Sequence, residues 1–217
     1  MLSLQVFTFN PFEENTYVLY DETGECVIID PGCYETEEQY ELVDFIEHHS
    51  LRVTALLNTH CHIDHVLGNA FIKHKYGVKL YIHQKDEPVL RAVQTYASNY
   101  GIVRYEAAEP DGYLDEGQEV AFGNQKLKVL FTPGHAPGHI VFYHEEAKTV
   151  IGGDVLFYNS IGRTDLPGGD FNTLINSIHQ KLFTLPDDVT VYPGHGPETT
   201  IGHEKRTNPF CGLKTNN

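Results

Sequence analysis

One stretch of seven residues, Thr59 to His65, constrains this chain more than any other feature. It contains three histidines and one aspartate, and it follows the apolar run 53–57, which predicts a buried strand. Imidazole and carboxylate groups are the ligands of Zn²⁺, Fe or Mn, and crowding them together without a cation is costly. We therefore predict a metal-binding motif at a strand end, in preference to a polar loop that is merely rich in histidine.

Three further candidate ligands also stand at strand ends. His135, Asp154 and His195 each come at the end of a predicted apolar strand and directly follow a glycine. Glycine lets the backbone turn sharply and approach an ion closely. Because strand ends within one sheet lie side by side, we expect these residues to converge on the motif although they are distant in sequence.

The number of candidate ligands favours two metal ions over one. The candidates are His60, His62, Asp64, His65, His135, Asp154 and His195. A tetrahedral catalytic zinc takes about three protein ligands and a water, so seven exceed one such site. They fit two sites, especially if one carboxylate bridges both ions. We predict two divalent cations, with zinc as the first choice and iron or manganese as alternatives.

Composition restricts the possible partners and the compartment. The formal charge of −15 and the absence of Lys and Arg before Arg52 disfavour nucleic-acid binding, since such a surface repels phosphate backbones. A secretory signal needs a basic segment and a membrane span needs about 18 apolar residues, and we find neither. The four cysteines form no C-x-x-C pair, which predicts reduced thiols in a cytoplasmic protein.

The order of predicted elements indicates a mixed α/β fold. Strands come first in hairpins and later alternate with helices, and a length of 217 residues suits a single domain over 1–217. Residues 98–120 are polar, with hairpin-like strand fragments expected near Tyr113 and Val120. We expect a Gly-rich loop at 158–170, a helix over 171–183 and a polar tail from residue 199.

The motifs resemble those of the metallo-β-lactamase superfamily. Thr59 to His65 matches its T-H-x-H-x-D-H signature. His135 in TPGHAPGH, Asp154 in GGD and His195 in PGHGP match its later motifs in order, and Asp30 in IDPG matches an earlier one. The resemblance covers roughly residues 5 to 200. Within the superfamily the chain looks most like glyoxalase II-type hydrolases, particularly small bacterial ones that carry a Ser-Ile-Gly-Arg-Thr-Asp segment, here 160–165.

This resemblance implies a fold and a division of the ligands. The fold is an αβ/βα four-layer sandwich of two mixed β-sheets flanked by helices, with a dinuclear site at one sheet edge. The first metal would be held by His60, His62 and His135, and the second by Asp64, His65 and His195, with Asp154 bridging the two ions.

The same resemblance implies the reaction and its catalytic residues, Asp64 and Asp154. A hydroxide between the metals would attack a thioester or ester carbonyl, with Asp64 able to orient it. True lactamases lack the bridging aspartate, so the resemblance disfavours β-lactam hydrolysis. Family members that hydrolyse lactoylglutathione carry an extra basic C-terminal region, whereas here only Lys205, Arg206 and Lys214 follow His195. The resemblance therefore carries the hydrolase chemistry but leaves a glutathione thioester open.

Four residues outside the ligand set are predicted to support the site or the substrate. Asp30 would hold a ligand loop or simply cap a turn, and His139 would form a hydrogen bond close to the metals. Arg163 would either clamp a substrate carboxylate or pair with Asp165 or Asp170. Asp165 would be a partner of a ligand histidine.

The residues leave other functions open. The closest alternative is an oxidoreductase of the persulfide dioxygenase type, in which His60, His135 and Asp154 would hold one Fe(II). That class shares the fold and a Gly-Arg-Thr-Asp loop like 162–165. A nuclease or lactonase of the same superfamily ranks lower, and the acidic surface argues against the nuclease. We expect a small-molecule acyl or thioester substrate, and the oligomeric state is left open.

Overall fold

The structure is a computed structural model that describes residues 1–213. Lys214, one of the basic residues expected in the tail, lies outside the described residues. Two six-stranded sheets make up most of the regular structure in the described part. None of the helices described there has both the length and the apolar character that crossing a membrane requires.

The first sheet comes from the N-terminal half of the chain, and its strands stand in chain order. They are β1 (Ser3–Phe9), β2 (Glu14–Tyr20), β3 (Glu25–Ile29), β4 (Arg52–Leu57), β5 (Leu80–Ile82) and β6 (Gly112–Tyr113). The first three are antiparallel neighbours, whereas β3 to β6 run parallel. Parallel neighbours need crossover connections, and helices supply them here. These helices are α1 (Thr36–His48), α2 (Ile63–Val66), α3 (Asn69–Tyr76) and α4 (Glu87–Tyr96).

The second sheet has the order β14-β13-β10-β9-β8-β7. Its strands are β7 (Glu119–Phe122), β8 (Gln125–Phe131), β9 (Ile140–His144), β10 (Thr149–Gly153), β13 (Thr190–Pro193) and β14 (Thr199–Thr200). Only β10 and β13 pair in parallel, so this sheet is mixed as well. A separate small hairpin is formed by β11 (Leu156–Phe157) and β12 (Ser160–Ile161). The remaining α-helices of the described residues are α5 (Phe171–Ser177) and α6 (Ile201–Thr207).

The two sheets pack face to face, and helices cover their outer faces. Along β2, Tyr17 and Leu19 point into the apolar layer between the sheets, while Val18 packs on the helix side with α1 to α4. In the second sheet Val129 faces the inner layer and Leu130 the layer that contains α5 and α6. Successive residues of a strand point to opposite faces, so strands covered on both sides are apolar over most of their length. The arrangement confirms the predicted four-layer αβ/βα sandwich.

Two predictions for the connecting segments are confirmed in part. Strand fragments do form near Tyr113 and Val120, but Tyr113 extends the first sheet beside β5, whereas Val120 forms a hairpin with β8 in the second sheet. The region between them is the crossing from one sheet to the other. The helix expected over 171–183 is α-helical only to Ser177 and continues as a π-helical turn over Ile178–Leu182.

The polar tail and the Gly-rich loop both contain regular structure. Residues 199–207 form β14 and α6, because the Thr200 side chain accepts a hydrogen bond from the His203 amide and Ile201 is buried against the second sheet. The expected loop at 158–170 begins with β12, so only its later part is irregular. The loop lines the cavity of the site described next, and α6 contacts the start of that loop through Glu204 and Asn159.

Candidate metal centre

The motif Thr59 to His65 leaves the end of β4 and bends into the short helix α2. His60 and His62 lie on the extended stretch before the helix, and Asp64 and His65 lie within it. The sequence predicted a turn after the strand but not that a helix begins inside the motif. This change of backbone conformation separates the two pairs, which join different groups of candidate ligands.

The other three candidate ligands lie at strand ends as predicted, but in the second sheet. His135 follows β8, Asp154 follows β10 and His195 follows β13, whereas the motif follows β4 of the first sheet. The expectation that the ligands come from one sheet is therefore wrong. They meet because the two face-to-face sheets present the ends of these strands at the same edge of the sandwich.

The first group consists of His60, His62 and His135, whose ring nitrogens lie within 4.8 Å of one another. His135 Nε2 lies 2.9 Å from His62 Nδ1 and 3.2 Å from His60 Nε2. Three imidazole nitrogens converging at such distances are the donor set of a zinc or iron site. The grouping is the one that the family resemblance implies for the first metal.

The second group consists of Asp64, His65 and His195, again within 4.8 Å of one another. His195 Nε2 lies 3.0 Å from Asp64 Oδ2, and His65 Nε2 lies 3.7 Å from the same oxygen. Asp154 lies between the groups. Its Oδ1 is 3.5 Å from His65 Nε2, and its Oδ2 is 3.5 Å from His135 Nε2 in the first group. The structure thus brings all seven predicted ligands together.

Two buried atoms at the middle of this cluster have no hydrogen-bond partner within the described residues. They are His65 Nε2 and Asp154 Oδ1, and both belong to predicted ligands. A buried polar atom without a partner costs about 1–3 kcal/mol. A cation beside these atoms would remove that cost, so the donor set fits a metal on the evidence of its own unsatisfied groups.

Charge within the cluster also suits metal binding. Burial, reinforced by the neighbouring histidines, lowers the pKa of His60 well below its usual range and that of His62 to about 3. Burial opposes protonation of His65, but the carboxylates of Asp64, Asp154 and Asp30 outweigh it and raise the pKa of this residue. The carboxylates therefore favour protonation of a neighbouring imidazole, which then carries the positive charge that balances them. Divalent cations would supply that charge and leave the imidazoles neutral, as ligation requires.

Asp30, at the end of β3, fixes the second group from behind. Its Oδ2 accepts a hydrogen bond from His65 Nδ1 at 3.1 Å, and the carboxylate also accepts from the amide and hydroxyl of Thr59 at 2.7 and 2.6 Å. The prediction that Asp30 holds a ligand loop matches these contacts. The other ring nitrogens of two more ligands are held in the same way, His135 Nδ1 by the Arg163 carbonyl and His195 Nδ1 by the Phe12 carbonyl. Such contacts orient ligand rings and fix their tautomers.

His139 lies behind the cluster, where the sequence predicted a supporting role. Its Nε2 accepts a hydrogen bond from the Asp154 amide at 3.0 Å, and its ring stacks on that of His60. The preceding Gly153 has φ +46°, and a Cβ there would lie 2.6 Å from His139 Nε2 and 2.4 Å from the Thr59 hydroxyl. Only glycine allows Asp154 to approach the ligand loop this closely.

Asp86 is a supporting residue that the sequence did not reveal. It is fully buried, and its two oxygens accept hydrogen bonds from the Cys61 amide at 2.6 Å and the Gly138 amide at 2.7 Å. It thereby ties the loop of His60 to the loop of His135. Burial raises the pKa of Asp86 to about 6, although both amides oppose the shift. An acid just before a helix looks ordinary in sequence, so no signal marked it.

Arg163 and Asp165 form an exposed ion pair at the edge of the site. The guanidinium donates to both oxygens of Asp165, at 2.7 and 2.8 Å. Of the two aspartates predicted as partners of Arg163, the structure therefore pairs it with Asp165. Asp170 instead accepts a hydrogen bond from the Thr173 amide and caps α5. The prediction that Asp165 is the partner of a ligand histidine is wrong. Its carboxylate is turned to Arg163, and the group that meets His135 is the main-chain carbonyl of Arg163.

A cavity of about 910 Å³ opens directly over the cluster. Its floor includes His62, Asp64, His135, Asp154 and His195. Its walls come from α4 on one side and from the β11–β12 hairpin and the following loop on the other. Volumes of this size hold drug-sized ligands, so the cluster is accessible to a small organic substrate.

Comparison with known proteins agrees with this geometry. The model of the metallo-β-lactamase superfamily matches residues 9–195, and the chain belongs to that superfamily. Its cluster of histidine and aspartate ligands makes it a metallo-hydrolase of the superfamily. The chain is 38% identical to the hydroxyacylglutathione hydrolase GloC of Haemophilus influenzae, over 99% of this chain and all of that protein. It is 40% identical to the probable metallo-hydrolase YqgX of Bacillus subtilis, over 92% of this chain and 93% of that protein.

Solved structures show the same fold over almost the whole chain. The B3 metallo-β-lactamase BLEG-1 superimposes with a TM-score of 0.87 at 35% identity, covering 96% of this chain and 99% of that one. The structure of TTHA1623 in a di-iron-bound form gives a TM-score of 0.85 at 38% identity, covering 95% of this chain and 99% of that one. The structure of ETHE1 from Myxococcus xanthus gives a TM-score of 0.78 at 27% identity, covering 96% of this chain and 84% of that one.

Proposed function

We propose that this protein is a dinuclear metal-dependent hydrolase that cleaves a thioester or a related acyl compound, of the glyoxalase II type. The observation that carries the proposal is the pair of ligand groups with Asp154 between them, each group compact enough for one ion. The likeness to GloC, whose name gives hydroxyacylglutathione as its substrate, supports thioester chemistry. We further propose a single domain over 1–217, which the apolar layer shared by both sheets supports.

The proposed ligands divide as the geometry divides them. His60, His62 and His135 would hold one divalent ion, Asp64, His65 and His195 the other, and Asp154 both. When bound, such an ion pair lowers the pKa of a water molecule and polarises a carbonyl oxygen. Zinc suits the donor set, and the likeness to a di-iron-bound protein supports iron as an alternative.

The chain itself contributes orientation and a hydrogen-bond acceptor. Burial acts to raise the pKa of Asp64, but His65 and His195 outweigh it and lower the pKa, so the carboxylate is ionised at neutral pH. Because Asp64 also lines the cavity, its carboxylate can accept a hydrogen bond from the attacking water and orient it. Asp30, His139 and Asp86 hold the ligand loops in place for that step.

Metal analysis combined with a substrate panel tests the proposal. The protein is purified without added metal, then loaded with zinc, iron or manganese and assayed on thioesters and lactones. We expect two metal ions per chain and thioester hydrolysis that a chelator abolishes. A protein that carries two ions and hydrolyses none of these compounds would contradict the proposal.

The persulfide dioxygenase type is the second candidate function. His135 Nε2 lies 3.2 Å from His60 Nε2 and 3.5 Å from Asp154 Oδ2, so these three donors also converge. The same preparation distinguishes the two candidates. One iron per chain together with oxygen-dependent turnover of glutathione persulfide would replace the hydrolase with this oxidoreductase.

A further inference from the structure

Helix α4 carries two apolar stripes. Leu90 and Val93 are buried against the first sheet, as expected for the inner face of an amphipathic helix. Val89, Ala92 and Tyr96, spaced three and four residues apart, form a second stripe that is half-buried: Val89 and Tyr96 pack against the edge of the core, and all three line the cavity. Folding does not require apolar surface that faces an open cavity, so this part of the stripe calls for an explanation by function.

The opposite wall of the cavity is apolar as well. Phe157 and Ile161 of the small hairpin and Leu166 of the following loop face the same space. At the mouth, Tyr100 packs against Tyr96 with ring centroids 5.9 Å apart. The cavity is thus a slot whose polar groups are concentrated on its floor, at the ligand cluster.

The slot offers almost nothing to an anionic group. Among the residues that the structure describes, Arg163 is the only Lys or Arg in the lining, and both of its hydrogen-bonded partners are oxygens of Asp165. A substrate with several carboxylates, such as a glutathione thioester, would find one guanidinium that is already paired with Asp165 and no second Lys or Arg in the described lining. Burying unpaired carboxylates beside apolar side chains costs far more than leaving them in water.

We propose that the substrate carries an uncharged apolar group, aryl or alkyl, which lies against Val89, Ala92 and Tyr96 while its acyl carbonyl is at the ligand cluster. This inference rests on the proposed hydrolase function and narrows it to a substrate class. The apolar group belongs either to the acyl part or to the thiol part of a thioester, and both parts would use the same slot.

A series of neutral thioesters tests the inference on the metal-loaded protein. In one arm the acyl group grows from acetyl to hexanoyl and phenylacetyl on N-acetylcysteamine. In the other arm the acyl group stays acetyl and the thiol grows from ethanethiol to benzyl mercaptan. We expect kcat/KM to rise about fourfold per buried methylene in one arm, and that arm identifies which part enters the slot. We also expect the best neutral substrate to exceed lactoylglutathione.

Two variants of α4 provide a matched pair. Ala92→Glu places a carboxylate in the slot, whereas Thr95→Glu adds the same charge to an exposed position of the same helix outside the lining. Both should keep their metal content and melting temperature. Ala92→Glu should lower kcat/KM for the longest good substrate about tenfold or more, while Thr95→Glu should follow the wild type.

The outcomes separate this inference from the proposed function. If the loaded protein hydrolyses neither thioesters nor lactones, the proposed function and the inference both fail. If it hydrolyses thioesters with no dependence on chain length in either arm, or prefers lactoylglutathione, the inference is overturned and the hydrolase function stands. Should Ala92→Glu fail to fold, the chain-length series on the wild type decides alone.

Discussion

The floor and the walls of the cavity are built on opposite principles. On the floor, the side chains are polar and several are held from behind by hydrogen bonds, as when Asp30 accepts from both His65 and Thr59. On the walls, side chains such as Val89 and Ile161 make no hydrogen bonds and present only apolar surface. The floor therefore determines which reaction is possible, and the walls determine which molecule reaches it.

This contrast explains how one chemistry can serve different substrates within a superfamily. Changing the floor alters charges and metal ligands and should abolish the reaction. Changing the walls alters only how well a particular molecule is held, because apolar contacts are individually weak and not directional. The following predictions test whether the two regions are as separate as the structure suggests.

Asp154→Asn should produce the largest effect, because it removes the carboxylate that lies between both ligand groups. We expect metal content to fall and kcat/KM to drop about a thousandfold, in line with the loss of a preorganised charge at a reacting centre. Metal analysis and thioester assays measure both. Asp165→Asn is the matched control, since that exposed aspartate pairs with Arg163 and should keep both metals. Two metals retained in Asp154→Asn would show that the bridging assignment is wrong.

Asp30→Asn should have the next largest effect on activity. Asp30 has φ +51°, a conformation that asparagine also adopts readily, so the backbone should not be strained. The variant loses the charge that orients His65, and the loss of such a supporting contact typically costs about 10–100-fold in metal affinity or activity. Competition with a chelator measures the affinity. An unchanged affinity would mean that His65 is oriented by other contacts.

Asp86 should affect the pH dependence of stability in the metal-free protein. Its folded pKa of about 6 lies above its ordinary value, so the unfolded state loses this proton more readily. The stability that Asp86 contributes is therefore fully present below about pH 4 and is lost as the pH rises through 6, by about 3 kcal/mol in total. Asp86→Asn cannot titrate, so its deficit relative to the wild type should shrink over this range. Urea unfolding at pH 4 and pH 7 checks this, and a constant deficit would contradict it.

The floor could be predicted from the sequence because its chemistry depends on the residue types, which the sequence shows directly. Histidines and aspartates after apolar runs, three of them preceded by glycine, are rare enough to recognise, and the structure brings all seven together. What sequence spacing could not supply was the sheet to which each strand belongs. His135 and His60 come from different sheets, and only the packing of one sheet on the other brings them close.

The supporting residues and the walls were harder to predict for a physical reason. Asp86 acts through two backbone amides. Every residue except proline has such an amide, so the residue types of its partners give no hint of the contact. Val89 and Ala92 resemble one edge of a broad helix face, because periodicity alone cannot distinguish burial in the core from exposure to a cavity. Asp165 looked like a partner for histidine, but its closer neighbour Arg163 takes both oxygens.

Glu204→Gln should have the smallest effect and acts on one wall alone. This buried carboxylate of α6 accepts hydrogen bonds from the Asn159 amide at 3.1 Å and from Asn208 Nδ2 at 2.6 Å, and Asn208 also donates to the Ser160 carbonyl. These contacts hold the β11–β12 hairpin, which carries Phe157 into the cavity. A neutral amide loses one acceptor, which costs about 1–3 kcal/mol of stability.

If the floor and walls are independent, Glu204→Gln should raise KM for substrates with a long apolar group about three- to tenfold, on the scale of a few lost apolar contacts. The value of kcat and the metal content should stay near those of the wild type. Steady-state kinetics on a short and a long thioester, together with metal analysis, measure the two effects separately. A fall in metal content would mean that α6 stabilises the floor as well, because β10 and β13, whose ends carry Asp154 and His195, lie in the sheet on which α6 packs.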